Sequence, residues 1–327
     1  MRAAFYTQQG AAREVLRIGE QPTPQPGPGE VRVRLRASGV NPSDWKTRRG
    51  GFGRRLSAPL IIPHSDGAGD IDAVGSGVAD RVGERVWVWN GQWKRPFGTA
   101  AQFIALPKEQ AVKLPGGVDY AEGACLGIPA LTAIQAVHLT RIEPGATLFI
   151  AGGAGAVAFY AIQLAKLKGA RVLTTVSSAT KAERARRAGA DELINYRDEN
   201  VGERVQALTA GRGVDAAIEM DLATNCKAYP SILRAHAPVV IYGTSTAEAL
   251  LPALWLMQNS IRLEFFLVYE LAAADRASGI AALQALLEQG RLQHCVARRL
   301  PLEDIAAAHE MLERGEVIGN VVLDINS

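Results

Sequence analysis

Hydrophobic and polar positions alternate strictly from residue 31, with Val31, Val33, Leu35 and Ala37 set against Arg32, Arg34 and Arg36. A period of two puts the apolar side chains on one face and predicts a half-buried strand. The preceding QPTPQPGPGE is too rich in Pro and Gly for a regular element and reads as an extended surface loop. Further short strands are predicted over 69–74, 85–89 and 101–105, with Gly75-Ser76-Gly77 as a turn among them and a short helix over 44–49. The texture changes after about residue 122. From Thr147 apolar runs alternate with amphipathic ones. Strands are expected over 147–151, 171–176, 192–195, 216–219, 239–242 and 262–266, and helices over 155–168, 181–188, 201–209, 225–234 and 251–259. Gly169 and Gly189 suit the C-terminal ends of the first two helices. Six strands with helices between them predict an α/β fold built on a doubly wound parallel sheet. The tail reads as helices over 277–288 and 302–313 and a strand over 317–325, too little for a domain of its own. It is expected to pack back on the β-rich start of the chain, so that 1–122 and 272–327 form one domain and 123–271 an inserted one.

Composition narrows the class of partner. The 327 residues are 48% hydrophobic and 21% charged, and 36 basic residues against 33 acidic ones leave a net charge of +3. So balanced a chain does not argue for nucleic acid. Cys125, Cys226 and Cys295 are far apart and form no CxxC pair, which fits a reducing compartment better than a disulfide framework. MRAAFYTQQG lacks the apolar core of a signal peptide, and no apolar run reaches the length of a membrane span without glycines or charges. The expected place is the cytoplasm, with no membrane partner.

The strongest local signal is TLFIAGGAGAVAFYAIQLAKLKGARVLTTV. An apolar strand runs past Gly152 into Gly153-Ala154-Gly155-Ala156-Val157-Ala158 and on into an amphipathic helix and a second strand. The pattern is G-x-G-x-x-A in the strand–turn–helix setting that dinucleotide binding requires. Glycine permits the tight turn and lets backbone approach a pyrophosphate, and the helix N-terminus offers free N–H groups. A tight βα turn that binds nothing is the bland alternative. An NAD site places Asp or Glu at the end of the second strand for the ribose hydroxyls. Here that strand ends Thr174-Thr175-Val176-Ser177-Ser178, followed by Lys181 and Arg184. Hydroxyls and a cation suit a 2′-phosphate, so NADPH is the expected cofactor.

Several short stretches occur in an order and spacing that resemble the medium-chain dehydrogenase/reductases, and within them the quinone oxidoreductase, ζ-crystallin-like branch. They are Gly39-Val40-Asn41-Pro42-Ser43-Asp44, Asp66-Gly67-Ala68-Gly69, Gly83-Glu84-Arg85-Val86, Pro129-Ala130-Leu131-Thr132-Ala133, the glycine turn, Gly189-Ala190-Asp191 with Asn195-Tyr196, and Gly319-Asn320-Val321-Val322-Leu323. The resemblance covers nearly the whole chain. It implies a GroES-like β-rich domain interrupted by a Rossmann domain, with the active site in the cleft between them. Zinc alcohol dehydrogenases share that fold. The positions that match their catalytic Cys, His and Cys are Asn41, Ser65 and Ile128, a set without a usual zinc ligand, and no Cys lies between Val86 and Ala111 for a structural zinc. His64, one position before the matching site, reads as structural, and no metal is expected.

Without a Lewis acid, an acceptor that delocalises the incoming charge is favoured, such as a quinone or an α,β-unsaturated carbonyl. The resemblance points to Asn41 and Thr132 beside nicotinamide and substrate, and to Lys46, where many relatives carry Tyr, as a stabiliser of an enolate or a proton donor. Each also has an ordinary reading, as loop residues or an exposed lysine. Tyr196 is expected to border the adenosine phosphate. Gly243 and Thr244 end a strand at the ligand edge of the sheet, and Phe266, Leu267 and Val268 lie toward the nicotinamide. Asn320 stands where many relatives have Lys. Trp87, Trp89 and Trp93 read as core packing, or alternatively as a lid over a flat acceptor. The expected activity is NADPH-dependent reduction of a quinone or enone. The alternatives are a reductase of other carbonyls and a non-catalytic NADPH-binding protein of the crystallin or sensor kind. The resemblance also implies a homodimer, paired through the apolar edge segment 263–269.

Overall fold

The computed structural model describes residues 1–51 and 55–325. It divides into two compact units, Met1–Pro129 with Gln284–Ser327, and Ala130–Leu283. Both boundaries fall later in the chain than 122 and 271, and the second lies inside a helix.

The first unit begins with β1 (Arg2–Phe5), α1 (Ala12–Val15) and β2 (Arg17–Glu20), the strands pairing as a small antiparallel sheet. It continues through β3 (Glu30–Val40), α2 (Pro42–Arg49), β4 (Asp66–Val74), β5 (Arg85–Val88), β6 (Phe103–Pro107), β7 (Ala111–Lys113) and α3 (Tyr120–Gly123). The second unit contains α4 (Leu131–Thr140), β8 (Thr147–Ile150), α5 (Ala156–Leu167), β9 (Arg171–Val176), α6 (Ala179–Arg187), β10 (Glu192–Asn195), α7 (Val201–Leu208), β11 (Ala216–Glu219), α8 (Leu222–Asn225), α9 (Tyr229–Ile232), β12 (Pro238–Ile241), α10 (Ala253–Gln258), β13 (Arg262–Phe265) and the start of α11 (Ala273–Glu288). The chain returns to the first unit with β14 (Val296–Pro301), α12 (Ile305–Glu313) and β15 (Asn320–Asp324).

In the first unit a sheet runs β14-β15-β3-β4-β5-β7, with β6 also paired to β3. The alternation in β3 does what its period dictates. Val31, Val33, Leu35 and Ala37 are buried in the core, while on the other face Arg32 pairs with Asp72 at 2.8 Å and Arg36 with Asp70 at 2.9 Å. Arg34 lies over the Phe103 ring at 5.5 Å. In the tail, β15 pairs antiparallel to β3, and Leu302, Ile305, Ala308, Val321 and Leu323 join the same core as the N-terminal strands. One tail strand was not expected: β14, parallel to β15.

The second unit is a six-stranded, wholly parallel sheet in the order β10-β9-β8-β11-β12-β13. This is the doubly wound order, in which the connections change direction between β8 and β11 and leave a crevice at the strand ends. Gly169 and Gly189 stand just past α5 and α6 with φ of 78° and 101°, and the Ala170 and Ala190 amides close each helix end onto Ala165 and Ala185 carbonyls. The single helix expected over 225–234 is instead α8, a 3₁₀ turn over Cys226–Ala228, and α9. Pro230 sits in the first turn of α9, where its missing N–H is harmless, and would have interrupted a continuous helix.

Candidate functional site

In the second unit the turn from β8 to α5 is built against β9. The Gly152 amide donates to the Thr175 hydroxyl at 2.9 Å and the Gly153 amide to the Thr175 carbonyl at 3.0 Å. Gly152 has φ of 68°, in the left-handed region, and a Cβ there would stand 2.5 Å from Met220 Sδ. A Cβ on Gly153 would collide with the buried Thr174 side chain. Gly155 is the N-cap of the 12-residue α5 and has no side-chain cap, and the first turn contains no acidic residue. The first amides of the helix, at Ala156 and Val157, therefore have neither an intrahelical partner nor a capping side chain. Such a cradle fits an anionic phosphate group.

At the end of β9, Ser178 caps α6, its hydroxyl accepting from the Lys181 amide at 3.3 Å, and Lys181 Nζ donates to Ser177 Oγ at 2.9 Å. The lysine and both serines thus form one cluster at the strand end, and among the described residues no carboxylate pairs with Lys181. Arg184, on the same helix, is buried with its guanidinium 4.9 Å above the Phe159 ring. Tyr196 follows β10 and is half-exposed. Beyond β12 and β13 a cavity of about 260 Å³ is lined by Tyr242, Gly243, Thr244, Phe265, Phe266 and Leu222, among others. Val268 is buried, and its carbonyl accepts from buried Arg276 Nη2 at 2.6 Å, which fixes the segment after Leu267. Thr132 is buried in the first turn of α4.

Sequence reasoning passed over two residues at the crevice. Glu219, at the end of β11, is buried, and its carboxylate accepts from the Asp221 amide at 2.6 Å and Asn225 Nδ2 at 2.8 Å. Burial pushes its pKa up. The adjacent Met220 packs its side chain on Gly152 and its carbonyl against Gly243.

In the first unit Asn41 precedes α2 and is buried. Its amide donates to Asp44 Oδ2 at 2.7 Å and its side-chain Nδ2 to Asp66 Oδ2 at 2.9 Å. Asp66 Oδ2 also accepts from the Ile128 amide at 3.1 Å, whereas its buried Oδ1 has no partner. Burial raises Asp44 to about 7 and Asp66 well above the ordinary carboxylate range. Lys46 Nζ lies 5.8 Å from the Trp45 ring centre. Asn320 is buried in β15, with its side-chain Nδ2 donating to the Cys295 carbonyl at 3.3 Å. Trp87 is fully buried in the core, as its ordinary reading expects, while Trp89 donates Nε1 to the Glu109 carbonyl at 3.2 Å.

A chain of buried polar groups leads into this cluster: His309 Nε2 to His64 Nε2 at 2.9 Å, His64 Nδ1 to Ser38 Oγ at 2.9 Å, Ser38 Oγ to Thr99 Oγ1 at 2.8 Å, and Thr99 Oγ1 to the Asp66 carbonyl at 2.6 Å. The proton positions follow from the far end. A carbonyl only accepts, so Thr99 donates to it and must accept from Ser38. Ser38 has one proton, so His64 carries its proton on Nδ1, and His309 donates through Nε2. Both imidazoles are neutral, and burial lowers His64 to about 3 and His309 well below its ordinary value. Both nitrogens of His64 are thereby engaged. Among the described residues no group of three or more His, Cys, Asp or Glu is placed to hold a metal ion.

These features have counterparts in known proteins. The model of the alcohol dehydrogenase GroES-like domain matches residues 27–116, and that of the zinc-binding dehydrogenases residues 156–286. The quinone oxidoreductase of Pseudomonas aeruginosa is 31% identical over 321 residues, 95% of each chain, and the 2-haloacrylate reductase of a Burkholderia species 30% identical over 278 residues, 82% of each. Among solved structures, an NAD-dependent alcohol dehydrogenase superposes with a TM-score of 0.92 at 30% identity, covering all of both chains. The Escherichia coli quinone oxidoreductase in complex with NADPH does so with 0.89 at 26% identity, covering 99% of this chain and all of that one. The chain belongs to the medium-chain dehydrogenase/reductase superfamily, in its quinone oxidoreductase branch, and is an oxidoreductase.

Proposed function

We propose that this oxidoreductase takes NADPH as its cofactor and reduces a quinone or an α,β-unsaturated carbonyl without a metal. The observation that carries the cofactor reading is the Ser177–Ser178–Lys181 cluster at the end of β9, which offers a cation and two hydroxyls where a carboxylate would repel a 2′-phosphate. Gly152, Gly153, Ala154 and Gly155 bring backbone to the pyrophosphate, and the amides of Ala156 and Val157 bind it. Tyr196 borders the adenosine. Gly243, Thr244, Phe266, Leu267 and Val268 bound the nicotinamide end. When bound, NADPH supplies a hydride from nicotinamide C4.

The acceptor reading rests on the donor set. Asn41, Ser65 and Ile128 bring neither thiolate nor imidazole, and His64 is fully engaged by Ser38 and His309. The charge left by hydride arrival must then be spread by the acceptor itself, and a quinone or activated alkene does this. The relative named for 2-haloacrylate, an activated alkene, supports the same class. Asn41 and Thr132 offer short hydrogen-bonding groups to amide and carbonyl, and Lys46 a cation for an enolate. The buried Asn320 is engaged at Cys295, which favours a structural role for it. Strand β13 ends the sheet with Phe265 exposed, a suitable edge for a second copy in a homodimer. Three buried cysteines, none of them in a disulfide, suit the reducing cytoplasm.

Titration with NADPH and NADH, followed by turnover on a panel of quinones and enones, tests the reading. Tighter binding of NADH overturns the cofactor choice. NADPH bound but oxidised by no acceptor returns the chain to a binding protein. A monomer in light scattering at micromolar concentration overturns the dimer.

A further inference from the structure

We propose that the Met220 thioether is an oxidation site, and that its conversion to the sulfoxide by a peroxide closes the cofactor turn. The inference rests on the NADPH reading above. Met220 is at the C-terminal end of β11, next to the crevice where the sheet reverses its winding. Its position is fixed on both sides. Buried Glu219 pins the following backbone through the Asp221 amide and Asn225, and the Met220 carbonyl rests against Gly243. Its sulfur is in contact with Gly152, 2.5 Å from where a Cβ would be. Yet the residue is 42% exposed. Cys125, Cys226 and Cys295 are all buried, so this side chain is more open to a peroxide in solvent than any of the three thiols.

The reaction is a two-electron oxygen transfer. A sulfur lone pair attacks one peroxide oxygen, the O–O bond breaks, and the departing hydroxide takes up the peroxide's proton as water. Sulfur is oxidised and hydrogen peroxide reduced. Contact with Gly152 leaves no room for the new oxygen on that side. It projects away from the glycine, and on the NADPH reading that is toward the pyrophosphate side of the turn. There its partial negative charge opposes the phosphates, and the stiffer, polar side chain no longer packs on glycine. Bound NADPH would cover the sulfur, so oxidation falls on the free protein, when NADPH is scarce. If the acceptor is a quinone, the peroxide has a nearby source, because a hydroquinone reoxidised by dioxygen yields the quinone and hydrogen peroxide.

The test uses the full-length protein and hydrogen peroxide, with sulfoxide located by peptide mass spectrometry and NADPH affinity read from nicotinamide fluorescence. Met257, 74% exposed on α10, is the internal reference. Without cofactor both methionines should oxidise, and with saturating NADPH only Met257. The Kd for NADPH should rise about tenfold on oxidation, the scale of one mismatched polar group. A methionine sulfoxide reductase with dithiothreitol should restore it. Each variant is compared with itself before and after peroxide: Met220→Leu should lose the shift and Met257→Leu should keep it. A sulfoxide at Met220 with unchanged Kd, a Met220 that NADPH does not protect, or a shift that persists in Met220→Leu overturns the proposal. An untreated protein that binds no NADPH overturns the cofactor reading itself, and this inference with it.

Discussion

Two glycines in one turn do different work, and the difference is measurable. A Cβ on Gly153 meets the buried Thr174 side chain, which cannot retreat because its hydroxyl donates to the Ile150 carbonyl at 2.5 Å. Gly153→Ala should cost about 1–3 kcal/mol of stability, as overpacking does, in a thermal or urea melt. A Cβ on Gly155 meets nothing nearer than the Gly152 carbonyl at 3.3 Å. Gly155→Ala should keep stability within about 1 kcal/mol, yet weaken NADPH by roughly tenfold, because the methyl stands where phosphate approaches the helix end. A Gly155→Ala protein with unaltered affinity would remove the turn from the site. On the proposed reading Lys181 is the residue that distinguishes the two nicotinamide cofactors. Loss of its charge-assisted contact in Lys181→Ala should weaken NADPH about tenfold and leave NADH unmoved, measured by parallel titrations. Equal loss for both would refute the role given to Lys181. The turn and the serine–lysine cluster were legible in the sequence because each is local, formed by a few neighbouring residues. Met220 and Glu219 were not, because their importance comes from the crevice that β8 and β11 form only when paired.

At the level of elements, legibility followed burial. The strands at Arg171–Val176 and Ala216–Glu219 match expectation to the residue, since inner parallel strands are bounded apolar runs, and the edge strand at Glu192–Asn195 matches as well. Helix α4 went unread because most of its LTAIQAVHLT is buried, which erases amphipathic periodicity. Strand β14 went unread because it is an edge strand, with Arg298 and Arg299 exposed on it. The contact between α2 and α12, far apart in the chain, was equally invisible. There the buried Arg48 side chain donates to Glu313 at 2.9 Å and to the Gly10 carbonyl, while Arg49 shares the same carboxylate at 2.6 Å. The pair fastens the helix that presents Asn41 and Lys46. Arg48→Ala should cost about 3 kcal/mol, the low end for breaking a buried pair, because Glu313 keeps Arg49. Arg48→Lys should recover only part, since one ammonium cannot match the guanidinium fork. Full stability in Arg48→Ala, read as an unchanged melting temperature, would contradict the packing described.

For the molecule as a whole, stability against pH sums buried groups of opposite sign. His64 and His309 are neutral in the fold and protonate when it opens. Their contribution is complete above about pH 6.5 and is lost as pH falls below it, toward about 3 for His64. Asp44, Asp66 and Glu219 run the other way. Held above their ordinary values by burial, they favour the fold when protonated, and that contribution is lost as pH rises from about 4, through about 7 for Asp44. Between about pH 4 and 6.5 the two sets oppose each other, each proton contributing a slope of about 1.4 kcal/mol per pH unit. Below that window Asp215 and Asp221, whose pKa values are lowered, add to the loss. The polar chain that joins His309 to Asp66 was hidden in the sequence because its hydrogen-bonded neighbours are separated by up to 245 positions, and each alone reads as an ordinary core residue. Asp44→Asn tests the balance through slope, not absolute stability, since exchanging the carboxyl for an amide as acceptor of the Asn41 N–H shifts the whole curve. With one opposing group removed, stability should climb with pH between 4.5 and 6.5 by about 1.4 kcal/mol per unit more steeply than in the parent protein. Hydrogen exchange of peptides from β3 and β4, followed through urea unfolding at several pH values, reads this in the unit concerned. Parallel curves for parent and variant would mean that Asp44 is ionised throughout, and that the proton assigned to it belongs elsewhere.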